Sequence, residues 1–148
     1  MHPGVENGTK SDLRDLMLTS SIDWTVKLWY PKHRNEPIQT YEYSQEYIYD
    51  VQWSPVHPSV FATCDGDGFV DIWDINKDTE SPQVRKKLRD EAINTIRWSE
   101  DGKKIAVGDS DGYLSIWALD KDFYMPKSDD QTKMERLVAS MQPSVGSV

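Results

Sequence analysis

Short runs in which apolar and polar residues alternate recur along this chain, and they predict β-strands. The clearest set lies in the middle of the sequence. Turn signals such as Ser54-Pro55 separate its strands, and Gly66 and Gly68 suit a tight turn because glycine readily takes positive φ. The set comprises four predicted strands, at residues 48–53, 60–64, 69–73 and 83–88.

The same order of strands is repeated on both sides of this set. The unit that follows has predicted strands at 93–98, 104–108 and 113–117, with a fourth at 123–125 that Pro126 ends. The unit that precedes has predicted strands at 16–20, 25–29 and 37–41. Its first strand is missing, because residues 1–12 are polar and contain Gly and Pro, so the chain is expected to begin inside a unit.

A period of 44 residues connects the three units. Trp29, Trp73 and Trp117 are spaced 44 residues apart, and an Asp lies six positions before each of them. A Trp-ended strand at this period is typical of a propeller blade, and a closed ring needs roughly 4–8 blades. We therefore predict an all-β fold, a partial β-propeller of about three blades that stays open.

The predicted organisation has five segments. Helical spacing of Met134, Leu137, Val138 and Met141 predicts a short amphipathic helix over 129–141. The segments are a polar N-terminal stretch, an incomplete blade, a complete blade, a last blade and a tail that carries this helix, at residues 1–12, 13–43, 44–89, 90–126 and 127–148.

Composition excludes several classes of function. The net charge of −8 argues against binding to nucleic acid or anionic lipid. No apolar run approaches the roughly 18–20 residues of a membrane helix, so no membrane insertion is expected. Cys64 has no partner for a disulfide, suits a reducing compartment and is expected to fill the core. The basic cluster of Arg85–Lys87 and Arg89 is either a docking patch or a charged outer strand that resists aggregation.

No catalytic, metal or cofactor site is predicted. Asp65-Gly-Asp67 looks like the start of a calcium loop, but Val70 and Asn76 stand where Gly and a bidentate Glu are needed. Asp109-Ser-Asp111 fails in the same way, and no nucleophile or phosphate-loop motif is present. We expect both stretches to be turns, His57 to be solvated, and the protein not to be an enzyme.

The three units resemble the blades of WD-repeat proteins over roughly residues 13–125. In that class a turn Asp, a strand Trp, a Ser or Thr and a loop His form a hydrogen-bonded tetrad. The resemblance implies partial tetrads here, because Val107 replaces the last hydroxyl and the loop His is absent, with Ser44 near one expected place. The implied members are Asp23, Trp29 and Thr19, then Asp67, Trp73 and Thr63, then Asp111 and Trp117.

Three stretches also resemble the C-terminal propeller of dynein intermediate chains, most closely the cytoplasmic type: residues 20–29, 47–58 and 105–112. In the first of them Trp24 replaces the Gly of most WD repeats. The resemblance implies a non-catalytic subunit of a microtubule motor, located in the cytoplasm on microtubules or in the cilium. It implies that the propeller docks on the tail of the dynein heavy chain. Other dynein subunits would be reached through the rest of a full-length chain.

Candidate docking residues are Trp24, Tyr47 and Tyr49, since aromatic side chains dominate interaction hot spots. The alternative is that they pack between blades. An adaptor of another complex, such as a ubiquitin-ligase substrate receptor, remains the alternative function. The Trp-Asp-x-Arg motif common in those receptors is not met, because Asn76 stands at the Arg position. An enzyme built on a propeller is the third option, but it needs polar groups around a central channel that three blades do not form.

Overall fold

The structure is a computed structural model, and it describes His2 and residues 13–141. The rest of the predicted N-terminal segment and the tail beyond residue 141 lie outside the described residues. The described strands are β1 (Met17–Ser20), β2 (Val26–Trp29), β3 (Gln39–Tyr41), β4 (Ile48–Trp53), β5 (Val60–Asp65), β6 (Phe69–Asp74), β7 (Val84–Lys87), β8 (Ile93–Trp98), β9 (Lys104–Asp109) and β10 (Leu114–Ala118).

These strands form three antiparallel sheets, in the orders β1-β2-β3, β4-β5-β6-β7 and β8-β9-β10. Neighbouring strands follow one another along the chain, as in the blades of a propeller. The sheets of the described part do not close into a ring. The prediction of an all-β, open partial propeller is confirmed, and we call the three sheets blades 1, 2 and 3.

The prediction of a fourth strand in blade 3, at residues 123–125, is wrong. Lys121–Phe123 forms a short 3-10 helix instead, in which the Phe123 N–H donates to the Asp120 carbonyl at 3.0 Å. This turn directs the Phe123 side chain into the core between blades 2 and 3, where it is buried. Burial of the aromatic ring therefore replaces extended pairing along the outer edge of β10.

Two apolar cores hold the blades together, one on each side of blade 2. The first lies between blades 1 and 2 and includes Leu28 of β2 and Trp73 of β6. The second lies between blades 2 and 3 and includes Ile72 of β6 and Ile96 of β8. Successive side chains of β6 point to opposite faces, so blade 2 is covered on both sides.

A helix, α1 (Asp130–Met141), returns the chain to the first core. Met134 and Val138 are four residues apart, so both point from one helix face into that core, where they are fully buried. The start of the helix is tied to blade 2, because the Asn76 side-chain amide donates to the Asp130 carbonyl at 2.9 Å.

Polar contacts fix blade 3 against blade 2. The Asp50 carboxylate of β4 accepts a hydrogen bond from the Ile96 backbone N–H at 2.9 Å. The Trp98 indole N–H of β8 donates to the Gln52 carbonyl at 3.1 Å. These bonds join β4 of blade 2 to β8 of blade 3.

Candidate protein-docking face

The topology gathers five connections at one end of the blades. The Ile48 N–H bonds to the Ser21 carbonyl at 3.4 Å, and the Gly66 N–H bonds to the Tyr47 carbonyl at 2.9 Å. In the same way the Ser110 N–H bonds to the Ala92 carbonyl at 2.9 Å. We call this end the upper face. It consists of the turns that follow β1, β5 and β9 and the loops that precede β4 and β8, at residues 21–25, 66–68, 110–113, 42–47 and 88–92.

Of the three predicted docking residues, Trp24 and Tyr47 lie in the upper face and Tyr49 lies next to it, at the start of β4; all three are open to solvent. Trp24 is 47% exposed, Tyr47 is 43% exposed and Tyr49 is 45% exposed. The rings of the two tyrosines meet edge to face with centroids 6.4 Å apart. These side chains are therefore not buried between blades. Ile22, Tyr43 and Tyr113 are also exposed here, which adds apolar surface that sequence reasoning missed.

Trp24 lies in a backbone conformation that L side chains seldom adopt. Its φ is +72°, and no other non-glycine residue of the described part has a positive φ. The two residues at the same place in the other blades are Gly68, with φ +80°, and Gly112, with φ +85°. A side chain in this region costs roughly 1–2 kcal/mol, so the first turn is strained in a way that its counterparts are not.

In blade 1 the indole and hydroxyl of the expected tetrad meet, but the carboxylate lies elsewhere. The Trp29 indole N–H donates to the Thr19 hydroxyl at 2.8 Å. Asp23 is exposed and accepts bonds from the Thr25 hydroxyl at 2.7 Å and the Lys27 ammonium at 2.9 Å. These bonds hold the pKa of Asp23 well below its usual range.

In blade 2 the buried carboxylate is Asp65, two residues before the expected Asp67. One Asp65 oxygen accepts the backbone N–H groups of Asp67 and Phe69, each at 3.0 Å. The other oxygen accepts a hydrogen bond from the Ser44 hydroxyl at 3.0 Å, so Ser44 takes the place expected for the loop His of the tetrad. Asp67 itself is exposed. The indole nitrogen of Trp73 is buried without a hydrogen-bond partner, and Thr63 is buried nearby on β5.

Blade 3 repeats this arrangement. Asp109 accepts the backbone N–H groups of Asp111 at 3.0 Å and Tyr113 at 2.8 Å, while Asp111 is exposed. Trp117 is half-buried, and the Lys86 ammonium lies 5.2 Å from its ring centroid. Asp65 and Asp109 are themselves 44 residues apart, so the repeat contained the signal for both turns.

Arg85 of β7 joins two buried carboxylates beneath the upper face. Its guanidinium lies 2.7 Å from an Asp71 oxygen and 3.2 Å from an Asp65 oxygen, and it stacks 4.1 Å from the Phe69 ring centroid. Burial outweighs the attraction of Arg85 and raises the pKa of Asp71 to about 7. Arg89 similarly lies 3.0 Å from Asp109. Both arginines of the basic cluster are thus engaged in internal ion pairs.

The opposite face contains a cavity of about 240 Å³ between blade 2 and α1. His57 is buried there, with its Nε2 3.4 Å from an Asp130 oxygen, so the expectation of a solvated His57 is wrong. Burial lowers the pKa of His57. The Ser59 hydroxyl donates to Asp74 at 2.6 Å rather than to His57, at 3.4 Å, so Ser59 is not activated for attack. These contacts attach the helix to blade 2.

Other candidate chemistry in residues 2 and 13–141 is sparse. Cys64 is buried in the second core, as expected, and burial raises the pKa of its thiol. The described side chains contain no group of three or more His, Cys, Asp or Glu placed to hold a metal ion. No helix in this range has the length and apolar character needed to cross a membrane.

Three antiparallel blades, whose strands β2, β6 and β10 each carry a Trp of the 44-residue repeat, define an open propeller of the WD-repeat class. The family model described as the dynein axonemal intermediate chain 3 WD40 domain matches residues 5–120. The chain belongs to the dynein intermediate chain family of WD-repeat proteins.

Two curated relatives agree with this assignment. The chain is 42% identical to a cytoplasmic dynein 1 intermediate chain of Drosophila melanogaster over 103 residues, which are 69% of this chain and 15% of that protein. It is 35% identical to the ciliary dynein intermediate chain 3 of Heliocidaris crassispina over 86 residues, which are 58% of this chain and 14% of that protein. The matched region therefore spans about one seventh of the length of these relatives.

Proposed function

We propose that this chain acts as a scaffold in a dynein motor complex, that its propeller docks on the tail of the heavy chain, and that it supports microtubule-based transport without catalysing a reaction. The observation that carries the proposal is the family match over residues 5–120, which covers all three described blades. Both relatives are named as dynein intermediate chains.

The physical character of the chain supports a docking role. A blade array held by two apolar cores offers a rigid face with little conformational entropy to lose on binding. Exposed aromatic residues on its turns are typical anchors of protein interfaces. Ser59 and Cys64 are both held in unreactive states, which favours binding over catalysis.

We place the protein in the cytoplasm, associated with microtubules, with the cilium as the alternative compartment. The relative named as cytoplasmic shares 42% identity, and the relative named as ciliary shares 35%. Contacts with other dynein subunits would be made by segments outside these 148 residues.

The test is capture from native lysate. The endogenous C-terminus is tagged, the protein is purified, and partners are quantified by mass spectrometry. We expect a dynein heavy chain at near-equal molar amounts. The matched control is Trp73→Ala, which disrupts the first core and should abolish the capture. Ubiquitin-ligase subunits in place of a heavy chain would instead establish an adaptor of another complex.

A further inference from the structure

The strain at Trp24 points to a function that the fold itself does not require. Gly68 and Gly112 occupy the equivalent positions with nearly the same φ, so glycine satisfies this turn in blades 2 and 3. A strained residue persists where its surroundings fix it, and such residues cluster at binding sites. The first turn thus carries a large exposed ring at a position where the backbone conformation favours glycine.

The turn that carries Trp24 is held rigidly. The Ser21 hydroxyl accepts the Asp23 backbone N–H at 3.2 Å, and an Asp23 carboxylate oxygen accepts the Thr25 backbone N–H at 3.1 Å. The Ser21 carbonyl is bonded to Ile48, the residue between Tyr47 and Tyr49. Trp24 and the two tyrosines therefore lie on adjoining segments, and little ordering remains for a partner to impose.

The loops and turns of the upper face contain more carboxylates than cations. Arg89 of the upper face is paired with Asp109, and the cations on the strands that lead into this face are also paired: Lys27 with Asp23, Arg85 with Asp65 and Asp71, and Lys87 with Asp90. Three exposed carboxylates of this face, those of Glu42, Asp67 and Asp111, have no ion pair within residues 2 and 13–141. Unpaired carboxylates on the same face as exposed aromatic rings favour a partner that carries a cationic group.

We propose that Trp24, Tyr47 and Tyr49 form one docking surface and that it binds a cationic segment of a partner protein, an exposed helix or loop in which Arg or Lys neighbours an apolar side chain. Trp24 is the apolar anchor of this surface, and Glu42 and Asp67 supply the complementary charge. The inference rests on the proposed function, because the heavy-chain tail is the expected source of the segment.

The first test separates binding from folding. Trp24→Gly removes the ring and the strain together, so the melting temperature in native lysate should stay the same or rise, while heavy-chain capture falls at least about tenfold. Met125→Ala removes an exposed side chain at the opposite end of the blades and should leave capture unchanged. Unchanged heavy-chain capture together with loss of another partner would reject heavy-chain docking at this surface, and unchanged capture of every partner by the Trp24→Gly variant would overturn the proposal.

The charge requirement has its own matched pair. Asp67→Lys reverses an exposed charge on the same face as the anchor, and Glu100→Lys makes the same reversal in the turn between β8 and β9, at the opposite face. We expect Asp67→Lys to weaken capture several-fold and to make the remaining capture less sensitive to salt. Equal effects of the two reversals would contradict a cationic partner segment.

A photo-cross-linker identifies the segment itself. Tyr47 is replaced by p-benzoylphenylalanine in the tagged full chain, cells are irradiated, and the linked peptide is sequenced by mass spectrometry, with Met125 as the control position. A positively charged heavy-chain peptide at position 47 supports both proposals. A positively charged peptide of another protein supports the surface and rejects heavy-chain docking there. A second copy of this chain, an acidic peptide or the same products as at Met125 rejects the surface, even where heavy chain still copurifies.

Discussion

Blades 2 and 3 carry the same sequence repeat in different surroundings. Ile72 and Ile116 are 44 residues apart, yet Ile72 is fully buried and Ile116 is 67% exposed. Val70 and Leu114 differ in the same way. Blade 2 has a neighbour on each face, whereas blade 3 has a described neighbour on one face. The repeat therefore encodes the strands, and the neighbouring blades decide what each side chain contributes to stability.

The largest expected difference concerns the repeated tryptophans. Trp73 is buried in the first core and stacks on Phe61, with ring centroids 5.6 Å apart. Trp73→Ala should cost about 3–5 kcal/mol of unfolding free energy. Trp117 is half-buried, so Trp117→Ala should cost only about 1–2 kcal/mol of unfolding free energy. Urea unfolding followed by circular dichroism measures both, and equal losses would remove the distinction between the blades.

The repeated isoleucines sharpen the comparison, because the side chains are identical. Ile72→Ala leaves a cavity in the second core and should cost about 2–4 kcal/mol. Ile116→Ala removes a side chain that is already in water, and we expect a change within about 0.5 kcal/mol. The same urea titration tests the pair. A substantial loss at Ile116 would show that another part of the chain covers that face.

The third prediction concerns pH. The pKa of Asp71 is about 7 in the folded state, above its ordinary 3.8, so the folded protein holds this proton more tightly than the unfolded chain does. Its contribution to stability is thus full below about pH 4 and declines as the pH rises to 7, with a slope of at most about 1.4 kcal/mol per pH unit.

Asp71→Asn should remove this part of the pH dependence. Wild type is expected to gain stability relative to the variant when the pH falls from 8 to 5.5, as measured by thermal melting at both values. Blade 3 has Ser115 at the equivalent position, and Ser115→Ala should leave the pH dependence unaltered. Parallel profiles for wild type and Asp71→Asn would mean that Arg85 keeps Asp71 ionised throughout.

The smallest effect on folding is expected on the open face of blade 3. Strand β10 pairs with β9 alone among the described strands and exposes Leu114 and Ile116, so the isolated chain should self-associate. Replacing both residues by Lys should reduce self-association, as measured by sedimentation velocity, and should barely alter the free energy of unfolding. Ile22→Lys is the control, since Ile22 is equally exposed but lies in the turn after β1. A monomeric wild type at micromolar concentration would refute the prediction.

The strands were predictable because their signal is local. Alternation and the 44-residue period placed ten strands within a few residues of their bounds. The buried turn carboxylates were missed for a related reason: Asp23, Asp67 and Asp111 keep the period in all three units, whereas Ser21 stands where blade 1 would need the counterpart of Asp65. The aspartates that keep the 44-residue period in all three units are thus the exposed ones, and the buried ones keep it in only two.

The environments that depend on distant segments were not predictable from local pattern. His57 lies between prolines in a turn, which suggested solvent, but Asp130 and α1 cover it from 73 positions further along the chain. Phe123 begins an apolar stretch that is typical of a strand, but in the structure its ring is buried in the second core. The backbone strain at Trp24 was also not predictable, because it depends on the φ angle that the folded turn imposes.

The return of α1 to the first core has a consequence for the order of events during synthesis. Chains fold as they leave the ribosome, and a core closes only after all its parts have emerged. The second core needs residues up to Phe123. The first core starts with Leu13 but is completed by Val138, close to the end of the described chain. Of the two described cores, the one between blades 1 and 2 is therefore completed later, although strands β1 and β2 precede all other described strands along the chain.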